Sequence, residues 1–75
     1  MNDKRRAKAD KAKQVLETAL ALIEHLLDEE RSALEGIPEN MYQRVERCEE
    51  TISDLEDAKS SVEEAIRQLE AAVDR

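Results

Sequence analysis

Apolar residues recur along the first half of the chain at alternating spacings of three and four. They are Ala9, Ala12, Leu16, Ala19, Ile23, Leu26, Ala33 and Ile37, with Glu30 interrupting the row. This is the a/d seam of a heptad repeat, and it predicts a long amphipathic helix over about residues 5–34. Val15 and Leu22 add position g; Leu20 and Leu27 add position e. At about 100° per residue these rows sweep roughly 160°, wider than the ~100° that one neighbour requires. Val15, Leu20, Leu22 and Leu27 are therefore expected to serve self-association, with one neighbour inside the molecule and one from a second copy.

The second half repeats the pattern in Met41, Val45, Cys48, Ile52, Leu55, Val62, Ile66, Leu69 and Val73, with Lys59 as the interruption. It predicts a second helix over about residues 40–74. Ala58, Ala65 and Ala72 occupy position g, where small side chains let another helix approach. Between the seams lies Glu35-Gly36-Ile37-Pro38. Glycine tolerates the left-handed conformation that ends many helices, and proline blocks continuation. The turn is expected at 35–40. The second helix then starts in one of two ways. Asn40 caps it, with Gln43 completing a capping box, or Pro38 takes the first helical position.

The two helices would span roughly 45 and 52 Å. Matched lengths and a short connection predict an all-α fold, a two-helix antiparallel hairpin forming one domain over 1–75. The wide stripe on the first helix predicts two hairpins pairing as a four-helix bundle. A single continuous helix is disfavoured by Gly36 and Pro38. Composition agrees: one glycine and one proline are too few for a turn-rich β fold. Only eight Leu, four Ile, four Val and Met41 supply large aliphatic volume beyond Met1. That is a small core for a monomer of this length.

Charge divides the chain. Residues 1–13 carry six bases and two acids, a net of +4, and the remainder carries 6 bases and 17 acids, −11, giving −7 overall. The basic arm is expected to match the acidic end of the second helix, near Glu63, Glu64, Glu70 and Asp74. Direct nucleic-acid binding is not expected, because no aromatics interleave the bases for stacking. The run Lys4-Arg5-Arg6 is followed by more charges, not by an apolar core, so export is not expected. No apolar stretch approaches a membrane span. The lone Cys48 excludes an internal disulfide and points to a reducing, cytoplasmic setting.

Around Leu27-Asp28-Glu29-Glu30, Ile37-Pro38-Glu39-Asn40-Met41 and the Glu-rich heptads from Glu46, the chain resembles a family of short acidic proteins. These are encoded by prophages and mobile elements of Firmicutes-type bacteria. The likeness covers roughly residues 26–72. It implies a mobile-element origin and no chemistry.

Nothing in the sequence suggests catalysis, a metal or a cofactor. There is no Gly-rich phosphate loop and no paired-histidine motif. His25 falls on the surface at position c, near Glu24 and Asp28. Cys48, at position d, reads as a small core hydrophobe. Glu30 and Lys59 either set helix register or snorkel out of the seam. Arg44 or Arg47 is expected to reach Glu30, and Glu17 to reach Lys59. The candidate working surface is the acidic row at positions e and f of the second helix: Glu49, Glu50, Glu56, Asp57, Glu63 and Glu64. The expected function is a non-enzymatic interaction protein that dimerises and shows this face to a basic protein partner. The alternative is an inhibitor that mimics nucleic-acid charge and blocks a basic site on a DNA-binding or nuclease protein.

Overall fold

The structure, a computed structural model, describes residues 1–75. Asn2 opens the first helix: its backbone is extended, and its side-chain oxygen accepts the Arg5 N–H at 2.9 Å. Asparagine suits this role because its carbonyl satisfies one of the orphan amides of the first turn. The helix α1 therefore begins at Asp3, two residues before the seam alone predicts, and runs to Glu35. Helix α2 spans Tyr42–Val73. The two pack side by side and antiparallel. The N-terminal Arg6 donates from Nε to the Val73 carbonyl at 3.2 Å, while Cys48 lies against Glu30 near the turn.

The turn differs from expectation at both of its ends. Gly36 is right-handed, at φ −86° and ψ −5°, and no residue has positive φ. The helix ends instead by tightening. The N–H groups of Gly36 and Ile37 donate to Ala33 and Leu34, each at 3.1 Å and each three residues back. Pro38 has no N–H to continue the ladder. Its carbonyl accepts from Met41 at 2.9 Å, closing a tight turn over residues 38–41. Met41 then caps α2 without a side-chain bond. Neither an Asn40 capping box nor a Pro38 helix start forms, because this turn uses both residues.

Gly36 is thus not needed for its conformational freedom. A Cβ built there would meet the Ala33 carbonyl at 3.6 Å, an ordinary contact. Gly36→Ala is expected to be neutral or to stabilise the hairpin by about 0.4–1 kcal/mol, through a less flexible unfolded chain. Urea unfolding followed by circular dichroism measures it. A loss of more than about 1 kcal/mol would instead point to a left-handed glycine.

The α2 seam faces α1 as its heptad predicts, from Val45 through Cys48, Ile52, Leu55, Val62, Ile66 and Leu69 to Val73. Met41, at the head of that row, is 42% exposed. The α1 seam is rotated. Its inward row is Ala9, Lys13, Leu16, Leu20, Ile23, Leu27, Glu30, Leu34 and Ile37. Ala12 and Ala33 lie outside it, and Leu26 is 47% exposed. The reason is volume. The row Leu20, Leu27, Leu34 buries more apolar surface against α2 than Ala19, Leu26, Ala33 does, and burial scales with area.

The interior is thin. Only Leu27 and Cys48 are buried, Leu27 at 1% exposure. The hairpin is a rod of 58 × 14 × 11 Å. Its radius of gyration is 17.2 Å, against about 11 Å for a compact chain of this length.

Candidate functional site

Successive helical residues turn by about 100°. The two seams face each other and the helices run antiparallel. One step back from the seam therefore turns toward the same side of the hairpin on both helices, and one step forward turns toward the opposite side. The ion pair between Arg31 and Glu56, at 3.8 Å, joins two step-forward residues across the helices. The rod therefore has two distinct long faces.

The step-forward face is acidic. Helix α1 contributes Asp10, Glu17, Glu24, Asp28 and Glu35, and α2 contributes Glu46, Glu49, Glu56, Glu63, Glu70 and Asp74. Against these eleven acids stand only Arg31 and Arg67, a net of −9. Of the six acids expected to work, Glu49, Glu56 and Glu63 lie on this face, with Glu63 half-buried. Glu50, Asp57 and Glu64 turn a further step outward along the edge of α2 and are exposed. The acids of α1 on this face are missed by reading α2 alone; their signal is the same one-step offset from the seam. Neutralisation is partial. Glu56 pairs with Arg31, Glu70 with Lys13 at 3.7 Å and Glu64 with Arg67 at 2.7 Å. Exposed pairs of this kind contribute about 0–1 kcal/mol each.

The step-back face is apolar along α1 from Ala12 to Leu26, and its charges, Lys8, Glu29, Arg44, Arg47 and Asp54, lie outside that stretch. Helix α1 presents Ala12, Val15, Ala19, Leu22, Leu26 and Ala33, with Glu29 among them; Val15 and Leu22 are each 63% exposed. Helix α2 contributes Arg44, Arg47, Thr51 and Asp54 toward the turn, then Ala58, Ser61, Ala65, Gln68 and Ala72. Of the four residues expected to self-associate, Val15 and Leu22 stand on this face. Leu27 packs inside the hairpin and Leu20 is half-buried in its seam, so these two hold the fold.

The seam interruptions are satisfied differently from expectation. Glu30 does not meet Arg44 or Arg47. The Cys48 thiol donates toward it instead, with Sγ 3.5 Å from both its Oε2 and its carbonyl oxygen. Burial, and then the Glu30 carboxylate, push the Cys48 thiol above its ordinary range. A thiol held protonated and buried is a poor nucleophile. Lys59 is half-buried and makes no ion pair with Glu17 or any other acid. His25 is exposed and contacts Glu29 at 2.7 Å, one turn along its own helix.

The basic arm does match the far end of α2, through Lys13 to Glu70 and Arg6 to the Val73 carbonyl. A cation at those last carbonyls favours the negative end of the helix dipole. Lys4, Arg5, Lys8 and Lys11 make no ion pair. Their place at the N-terminus of α1, with Asp28, Glu29, Glu30 and Glu35 near its C-terminus, runs against the dipole of that helix. No three His, Cys, Asp or Glu side chains are placed to hold a metal ion, and no helix is long and apolar enough to cross a membrane. Compared with known proteins, the chain matches no family model, no curated protein and no solved structure.

Proposed function

We propose that this chain is a non-enzymatic interaction protein that associates with itself through its apolar face and offers its acidic face to a basic protein partner. The observation that carries this reading is the segregation of eleven acids and two bases on one long side, with Val15, Leu22 and Leu26 exposed on the other. A rod with so thin an interior has little room for a water-excluding pocket in which chemistry could be arranged. Like charges at i,i+4, such as Glu46 with Glu50 and Glu50 with Asp54, weaken α2 by about 0.2–0.5 kcal/mol each. A surface that repels itself fits an opposite charge elsewhere. The lone free thiol of Cys48 fits a reducing cytoplasmic setting. A mobile-element origin rests on the resemblance at the turn and the Glu-rich heptads alone.

Mimicry of nucleic acid is less well supported. The eleven acids are spread along a 58 Å rod, whereas duplex DNA carries a charge about every 1.7 Å.

The test is capture of a partner from the native host, identified by mass spectrometry. It is repeated with Glu49, Glu50, Glu56, Asp57, Glu63 and Glu64 all changed to glutamine. Helicity should hold or rise slightly as the repulsions vanish. Capture should be lost, and wild-type capture should fall steeply as salt passes ~0.15 M, where the screening length is about 8 Å. Capture of the same partner by the neutralised variant, with unchanged salt dependence, overturns the acidic-face reading.

A further inference from the structure

We propose that the occupant of the apolar face is a second copy of this chain, packed face to face with its turn at the opposite end of the rod. This inference rests on the self-association proposed above and adds its geometry. Three observations carry it.

The first is size. The rod is 58 Å long and 14 Å across. Face-to-face pairing therefore covers a footprint of roughly 800 Å² per copy, the class of a specific, stable interface.

The second is charge, and it decides direction. The turn end, residues 28–50, carries eight acids and three bases, a net of −5. The open end, residues 1–13 with 63–75, carries eight bases and six acids, a net of +2. The middle holds the remaining −4 of the total −7. Packed helices lie about 8–10 Å apart, close to the screening length of about 8 Å at physiological salt. Turns at the same end would set −5 beside −5. Turns at opposite ends set −5 beside +2. The same arrangement eases the reversed dipole charges of α1, since Lys8 of one copy then lies about one turn from Glu29 of the other, both one step back from the seam.

The third is shape. Face-to-face packing with opposed turns lays α1 antiparallel along the second copy's α1. A two-fold axis between residues 20 and 21 sets Val15 opposite the second copy's Leu26, and Ala19 opposite its Leu22. Large meets small in each layer, which is how knobs fill holes. On the α2 side the facing residues are Thr51, Asp54, Ala58, Ser61 and Ala65, of which the last three are small enough for those helices to close on each other.

Sedimentation equilibrium gives the mass, and a spin label gives the geometry. The label is placed on exposed Asn40→Cys in a Cys48→Ala background, with Glu39→Cys as a second position should the first disturb the turn. The expected result is a two-copy mass with labels about 57 Å apart, set by the 1.5 Å rise per residue on either side of the axis. A two-copy mass with labels within about 20 Å places both turns at one end. That overturns the proposed geometry and leaves self-association standing. A one-copy mass at all concentrations overturns both.

Discussion

Replacing Leu27 by alanine is expected to lower the stability of the hairpin by about 2–5 kcal/mol, the range for a leucine truncated where neighbours cannot collapse into the gap. Leu27 is the one side chain fully enclosed, at 1% exposure, and little else in the rod is buried to share the loss. For a domain whose whole stability is commonly 5–15 kcal/mol, such a change is close to unfolding. The informative control is its sequence neighbour. A simple a/d heptad puts Leu26 in the seam and Leu27 beside it, whereas the structure exposes Leu26 by 47%. Leu26→Ala should therefore cost the single hairpin well under half as much. Urea unfolding of both variants, followed by circular dichroism at protein concentrations low enough to suppress association, separates the two registers. A larger loss for Leu26→Ala at such dilution would mean that the a/d seam, not the rotated one, faces α2.

Leu22→Glu should do the reverse, sparing the hairpin and abolishing association. Leu22 is 63% exposed on the apolar face and lies outside the rotated seam. Glutamate is a good helix former, so helicity at low concentration should match the wild type. In the associated form the substitution enters the interface twice, once from each copy. An unpaired carboxylate taken out of water costs several kcal/mol, or the energy of binding a proton instead. Two of them weaken association by at least about 1,000-fold at 1.4 kcal/mol per factor of ten. Sedimentation equilibrium of variant and wild type reads this directly. An unchanged association constant would mean that the copies meet through another surface.

Much of this architecture is legible without coordinates. Two long heptad rows flanking Gly36-Ile37-Pro38 determine two helices and a bend. The α2 register is equally plain, because its seam is flanked by alanines on one side and glutamates on the other. Only one row offers large apolar area. Asn2, placed before a charged helical run, carries a capping signal of the ordinary kind.

What the sequence left open lies where two solutions share the same letters. Along α1, Ala9, Leu16, Ile23, Glu30 and Ile37 belong to both candidate seams. The choice falls between Ala12-Ala19-Leu26-Ala33 on one side and Lys13-Leu20-Leu27-Leu34 on the other. Heptad spacing counts alanine and leucine alike. Packing against a real neighbour weighs them by area, so the leucine row turns inward and Leu26 turns out. That rotation of one row moved Leu20 and Leu27 from an expected interface into the fold. It also set apart an apolar face and brought the acids of α1 round to join those of α2. The partner of Glu30 followed from the same choice. Sequence proximity across the turn suggests Arg44 or Arg47, but both lie one step behind the α2 seam, while Cys48 is in it. Helical period alone determined which residues share a row. Which rows meet was decided by the packing of one helix on the other, because only there does side-chain volume enter the balance.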